Sequence, residues 1–158
     1  RLLKIFEEKI GSDFRLFFLN HSFQKNLKKI LSIKKKIIFY FILVYPNIKS
    51  STKEVYSRVK KFNLPLKKDL SKTRSQRNYI EFIKNENNDL QKIVEKKHKK
   101  IMKILDLIKI QKNCLFSRMT GSGSVCFGVF SNRESAKAGL IKVKRRLPNY
   151  WSILTKSI

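Results

Sequence analysis

Apolar residues recur along this chain in two rhythms: a spacing of threes and fours that predicts helices, and short continuous runs that predict buried strands. Leu2, Leu3, Ile5 and Phe6 share one face of a short helix, which Gly11 ends. Phe14 to Leu19 is apolar except for Arg15, and residues 20–36 are basic with an irregular apolar pattern that predicts no definite element. The run from Ile37 to Tyr45 reads as a buried strand, being far short of the roughly 20 residues that a membrane-spanning helix needs. Pro46 and Asn47 then turn the chain, and Ser51-Thr52-Lys53-Glu54 has the form of a capping box for a helix carrying Val55, Tyr56, Val59 and Phe62 on one face. Pro65 closes that segment, and residues 66–79, polar and without a sustained period, read as a loop.

Asn87, Asn88 and Asp89 supply cap chemistry for one long helix in which Leu90, Ile93, Val94, Ile101, Ile104, Leu105 and Ile108 recur on one side. Cys114–Met119 and Val125–Phe130 read as strands joined by the small-residue turn Thr120-Gly121-Ser122-Gly123-Ser124. Ser131-Asn132-Arg133-Glu134 is a second capping box, opening a helix with Ala136, Leu140 and Val143 on its buried side. Pro148 ends it, and Tyr150–Thr155 reads as a closing strand. This order of elements predicts an α+β fold, a mainly antiparallel sheet with helices packed on one face.

Composition narrows the picture less than its numbers suggest. A chain of 158 residues that is 42% hydrophobic can bury one sizeable core, which argues against disorder. Its 37 Lys and Arg against 11 Asp and Glu give a formal charge of +26, a field that attracts nucleic acid, anionic membrane or phosphorylated metabolites. Lys, Ile, Asn and Phe are abundant together, however, as an A+T-biased coding sequence produces at tolerant surface positions, so this charge ranks as surface drift ahead of nucleic-acid recognition. Lys96, Lys97, Lys99 and Lys100 accordingly read as a solvated helix face. Cys114 and Cys126 lack metal-type spacing and read as buried free thiols of a reducing cytoplasm; with His21 and His98 equally unpatterned, no metal site is expected. No signal-peptide pattern opens the chain, which begins at Arg1 directly in the amphipathic stretch, as if the natural start of that helix lay upstream.

The candidate chemistry gathers at the glycine turn. Alternating glycines between two strands expose backbone N–H groups that an anion can approach closely. Taken alone, Thr120–Ser124 would be a plain hairpin turn, and Asp13 a turn residue after Gly11.

The string from Ser117 to Phe130, Ser-Arg-Met-Thr-Gly-Ser-Gly-Ser-Val-Cys-Phe-Gly-Val-Phe, resembles the third motif of the galactokinase, homoserine kinase, mevalonate kinase and phosphomevalonate kinase superfamily. Within it, the resemblance is to the 4-diphosphocytidyl-2-C-methyl-D-erythritol kinase family. Lys9-Ile10-Gly11-Ser12-Asp13 is similar to that family's Ile-Gly-Ser/Ala-Asp motif. Leu43-Val44-Tyr45-Pro46 with Ser51–Tyr56 is similar to its strand end and Ser-Thr-x-Glu-Val-Phe helix start, and Asn88-Asp89-Leu90 to its Asn-Asp-Leu helix start; Pro148-Asn149-Tyr150-Trp151 resembles its ending. The resemblance implies an ATP-dependent kinase with Asp13 as catalytic residue and Thr120, Gly121, Ser122 and Gly123 as the phosphate- or substrate-facing turn. It further implies ATP and Mg2+ as cofactors, a small-molecule diphosphocytidyl substrate, a cytoplasmic location, and no membrane or specific nucleic-acid partner.

The chain departs from the family in three places. Phe14-Arg15-Leu16 replace the Val-Pro-apolar stretch after the aspartate, Asn26-Leu27-Lys28-Lys29 stands where a Gly-x-Gly-Glu stretch is usual, and the Lys-x-Asn segment and glycine-rich ATP loop belong upstream of Asp13. The expectation is a C-terminal part inactive alone, with residues 1–36 as the junction to an ATP-binding domain, 37–158 as the C-terminal kinase domain, and a separately encoded N-terminal half as partner. The alternatives are a basic nucleic-acid-binding module and a decayed non-catalytic remnant.

Overall fold

A computed structural model describes residues 37–62 and 75–157 throughout, and positions 5, 6, 9, 11, 14, 16, 18, 19, 22–26 and 29–32 of the preceding part. The elements are β1 (Ser22–Asn26), β2 (Lys29–Ser32), β3 (Tyr40–Tyr45), α1 (Thr52–Ser57), α2 (Gln76–Asn85), α3 (Gln91–Lys97), α4 (Lys99–Lys109), β4 (Cys114–Met119), β5 (Cys126–Phe130), α5 (Arg133–Arg146) and β6 (Trp151–Lys156). The chain groups into two compact units, one of Arg1–Ile37, Leu64–Phe82 and Ile158, the other of Ile38–Asn63 and Ile83–Ser157.

In the first unit, β1 and β2 form an antiparallel hairpin with Phe23 opposite Leu31. Its turn is closed by Lys29 N–H donating to Asn26 Oδ1 at 2.8 Å. This hairpin falls in the stretch whose apolar pattern predicts nothing definite. Helix α2 begins inside the expected loop. Ser75 starts it, accepting N–H bonds from Asn78 on its hydroxyl and from Tyr79 on its carbonyl.

The second unit holds the sheet, in strand order β4-β5-β3-β6, every neighbour antiparallel. Register aligns Ile42 with Gly128 and Leu154, and Val44 with Cys126 and Ser152, so these side chains share one face. Helices α4 and α5 cover that face. Ile42, Val44, Ile101, Ile104, Ile108, Phe130 and Val143 are buried there in one cluster, and each such aliphatic or aromatic burial contributes about 1.5–3 kcal/mol. Helix α4 approaches β5 through Gly128, where a Cβ would stand 2.1 Å from Ile108 Cγ2. The opposite face carries Phe41, Phe116 and Phe127, with ring centroids 6.3 Å apart for Phe41–Phe127 and 6.1 Å for Phe116–Phe127. Arg118 lies over the Phe116 ring at 4.7 Å and donates to the Ile83 carbonyl at 3.0 Å.

Several boundaries differ from the sequence pattern. The expected long helix is two, separated at His98, whose backbone leaves helical geometry at φ −129° and ψ 81°. Lys96, Lys97, Lys99 and Lys100 would stand three and four residues apart on a continuous helix, and like charges at those spacings oppose it. Helix α1 stops at Ser57, so Val55 is buried while Tyr56 and Phe62 pair their rings in solvent, 6.4 Å apart. The cap of α5 is Asn132 rather than Ser131: its side chain accepts from Ser135 N–H at 2.8 Å.

Candidate functional site

The turn between β4 and β5 needs glycine twice. Gly121 has φ +43° and Gly123 φ +89°, both in the region that side chains disfavour. At Gly123 a Cβ would also meet Met119 Sδ at 2.8 Å. Two backbone bonds close the loop on itself, Thr120 N–H to Val125 O at 2.9 Å and Gly123 N–H to Thr120 O at 2.8 Å.

The carbonyls of Met119, Gly121 and Ser122 are taken up by side chains from two other segments. Asn88 Nδ2 donates to Met119 O at 2.9 Å and to Gly121 O at 2.7 Å. Ser50 Oγ donates to Ser122 O at 2.6 Å, and the Thr52 and Ser122 hydroxyls pair at 2.8 Å. Ser124, buried, donates its hydroxyl to Ile48 O. On the open edge of β4, Met119 N–H donates to Gln91 Oε1 at 2.9 Å, so Asn88 and Gln91 together satisfy the last residue of an unpaired strand edge. Among the described residues the amides of Gly121 and Ser122 donate no hydrogen bond, and Gly121 is exposed. Free N–H groups at a glycine turn are donors that an anion can approach closely.

Positive charge stands next to this loop. A cleft beside Ser50 and Ser51 is lined by Lys49, Arg58, Lys97 and Glu54. Glu54 accepts from Lys97 Nζ at 2.7 Å and from Arg58 at 2.8 Å, and the Lys97 hydrogen bond above all holds its carboxyl below the usual range. Burial pushes the Cys114 thiol up to about 11 and that of Cys126 up to about 12, so both stay as thiols near neutral pH. Among the described residues no group of three His, Cys, Asp or Glu gathers to hold a metal ion, and no helix is long and apolar enough to cross a membrane.

Of the residues singled out from sequence, Thr120, Gly121, Ser122 and Gly123 meet at this one turn. Asp13 lies outside the described residues. Asn88, Ser50 and Thr52 are the contributors that sequence reasoning missed: Asn88 and Thr52 read as parts of helix caps, and Ser50 stands just outside the capping box. The one available signal was redundancy: Ser50-Ser51-Thr52 supplies three hydroxyls where one cap suffices, and Ser51 alone fills that role toward Glu54 N–H.

A helix-backed antiparallel sheet whose edge hairpin turns through Thr-Gly-Ser-Gly-Ser defines a recognised class of domain. The family described as GHMP kinases C terminal matches residues 67–149, and the chain belongs to it. Among curated relatives, the 4-diphosphocytidyl-2-C-methyl-D-erythritol kinase of Pelagibacter ubique is 32% identical over 129 residues, covering 82% of this chain and 45% of that protein. The enzyme of the same name from Wolbachia pipientis wMel is 34% identical over 109 residues, covering 68% of this chain and 37% of the relative. The chain thus spans about half the length, or less, of the curated relatives it matches. A crystal structure of 4-(cytidine 5'-diphospho)-2C-methyl-D-erythritol kinase shares the fold with a TM-score of 0.71 at 16% identity, over 99% of this chain and 57% of that one. The basic-module alternative gains nothing from these matches.

Proposed function

We propose that this chain supplies the C-terminal domain of an ATP-dependent kinase that phosphorylates 4-diphosphocytidyl-2-C-methyl-D-erythritol in the cytoplasm. The observation that carries this reading is the Thr120–Ser124 turn, which keeps the family's glycines, holds both at positive φ and leaves the Gly121 and Ser122 amides undirected toward the protein. Relatives that share this part of the chain bear that enzyme's name. Residues 1–36 then form the junction with an ATP-binding part, and 37–158 the C-terminal domain.

In this scheme Asp13 accepts the proton of the substrate hydroxyl as that oxygen bonds to the γ-phosphorus of ATP and the bond to ADP breaks. The Gly121 and Ser122 amides hold phosphate oxygens, and Gly123 lets the backbone come close. Mg2+ would enter with the nucleotide and offset its phosphate charge. The lysine and ATP loop that the family places before Asp13 come from the N-terminal part of the enzyme.

The test combines the purified chain with the N-terminal part of the Pelagibacter ubique relative, the diphosphocytidyl substrate and Mg-ATP, and follows ADP release and the phosphorylated product by mass spectrometry. Transfer is expected with both parts, none with this chain alone, and none after Asp13→Asn. Failure of the combined parts, while the intact relative turns over under the same conditions, would sink the assignment of retained activity.

A further inference from the structure

We propose that Asn88 is a positioning residue for the phosphate-facing turn, setting the direction of the Ser122 N–H without touching the ligand. This rests on the reading of the turn given above and goes one step deeper into it.

A trans peptide unit points its C=O and its N–H to opposite sides. The Gly121 carbonyl and the Ser122 N–H belong to the same unit. Asn88 Nδ2 holds that carbonyl at 2.7 Å, so the Ser122 N–H faces the other way, and no described residue accepts from it. The second Nδ2 hydrogen goes to Met119 O at 2.9 Å, at the point where β4 ends, which fixes where the turn begins. The amide itself cannot flip, because its Oδ1 accepts from Leu90 N–H at 3.0 Å. Two donors and one acceptor are thus assigned on one side chain, leaving little freedom for the group.

Such a clamp matters because of the residue it acts on. Gly121, at φ +43° with nothing near its missing Cβ, lacks the steric barrier that would otherwise keep the following peptide from rotating. Without Asn88 the Gly121–Ser122 peptide would sample orientations that present its carbonyl, an electronegative atom, where the N–H should be. A ligand would then have to reorder the turn on binding, and affinity falls by that ordering cost. Ser50 constrains the next peptide through Ser122 O at 2.6 Å, and the N–H of that unit, on Gly123, is already used within the turn. Asn88 is therefore the residue that controls the Ser122 amide.

The experiment uses the full chain labelled with 15N and titrated with pyrophosphate, reading the Gly121 and Ser122 amide resonances. Asn88→Asp keeps the shape and the Leu90 bond but removes both donors and faces a carboxylate to two carbonyl oxygens. Asn88→Ser keeps a hydroxyl for Leu90 and reaches neither carbonyl. Pyrophosphate is expected to move both amides in the native chain and to bind about tenfold or more weakly to either variant near pH 8, while resonances elsewhere in the sheet stay in place. On acidification to about pH 5 the Asp variant, its carboxyl protonating early between two carbonyls, regains affinity relative to the native chain at the same pH, whereas the Ser variant does not. Native-like affinity in both variants at both pH values would overturn the positioning role while leaving the turn reading intact. A native chain whose Gly121 and Ser122 amides ignore pyrophosphate would overturn that reading, and the inference with it.

Discussion

A methyl group at position 128 would overlap Ile108 Cγ2, and Ile108 is a fully buried residue of the helix layer with nowhere to retreat. Gly128→Ala is therefore expected to destabilise the chain by about 1–3 kcal/mol, read as a lowered urea midpoint with an unchanged slope. Ile108→Ala alone leaves a cavity and costs about 2–5 kcal/mol, but in the double variant the added methyl enters the space vacated. The double variant should then be less destabilised than the sum of the single ones; strict additivity would show that α4 does not rest on Gly128. The two thiols give a second prediction. Both have pKa values raised by burial, so the folded chain holds their protons where the unfolded chain releases them. Stability is therefore insensitive to them at neutral pH and falls as pH rises from about 9 toward about 12. Cys126→Ala and Cys114→Ala should each lessen that alkaline decline in urea titrations, the Cys126 variant removing the part that runs on toward pH of about 12.

Between α1 and α3 the tie is ionic. Glu54 joins Lys97 of α3 and Arg58 just beyond α1, and its lowered pKa means the folded state favours the charged form. That contribution is present above the ordinary carboxylate pKa and is lost as pH falls through the lowered one. Glu54→Gln is expected to weaken the acid-side pH dependence of unfolding and to reduce the effect of salt there. A variant with an unchanged acid limb would show that this tie is neutralised by water. The same segments show why part of the architecture was legible and part was not. Strands β3 and β5 are unbroken by polar side chains, and β4 and β6 are short segments with an apolar majority at one end, all bounded by turns, so hydrophobic content and turn signals located them, and the helix-backed antiparallel sheet followed. The hairpin at Ser22–Ser32 has no such signature: Gln24, Lys25, Asn26 and Lys29 break any alternation, and among its described residues Lys29 N–H donates to the Asn26 side chain across the turn. The break at His98 involves neither glycine nor proline, and an apolar period that runs on from Val94 to Ile101 does not register it. In the turn, glycines were readable because their backbone angles demand them. Asn88 was read only as a local cap because its other partners, Met119 and Gly121, are more than thirty residues away.

The net charge of +26 acts on the folding equilibrium and on the candidate site in opposite senses. Folding brings 37 cations and only 11 acids close together, and the compact state suffers their repulsion more than the expanded one does. The outer side of α4 and α5 concentrates it, with Lys103, Lys142, Arg145 and Arg146 lining one groove between the two helices. Raising ionic strength from about 0.01 M to about 0.15 M shortens the screening length from roughly 30 Å to roughly 8 Å, which relieves that repulsion. The melting temperature should therefore rise with sodium chloride over this range. The same screening weakens the long-range attraction of the net charge for phosphorylated anions, so on the proposed reading of the turn pyrophosphate affinity should fall while stability climbs. Measuring both on one preparation separates the two effects of charge. A melting temperature that fell together with affinity would mean that net attraction, through pairs such as Glu54 with Lys97, outweighs the excess of lysine, and that the surplus charge is too dispersed to strain the fold.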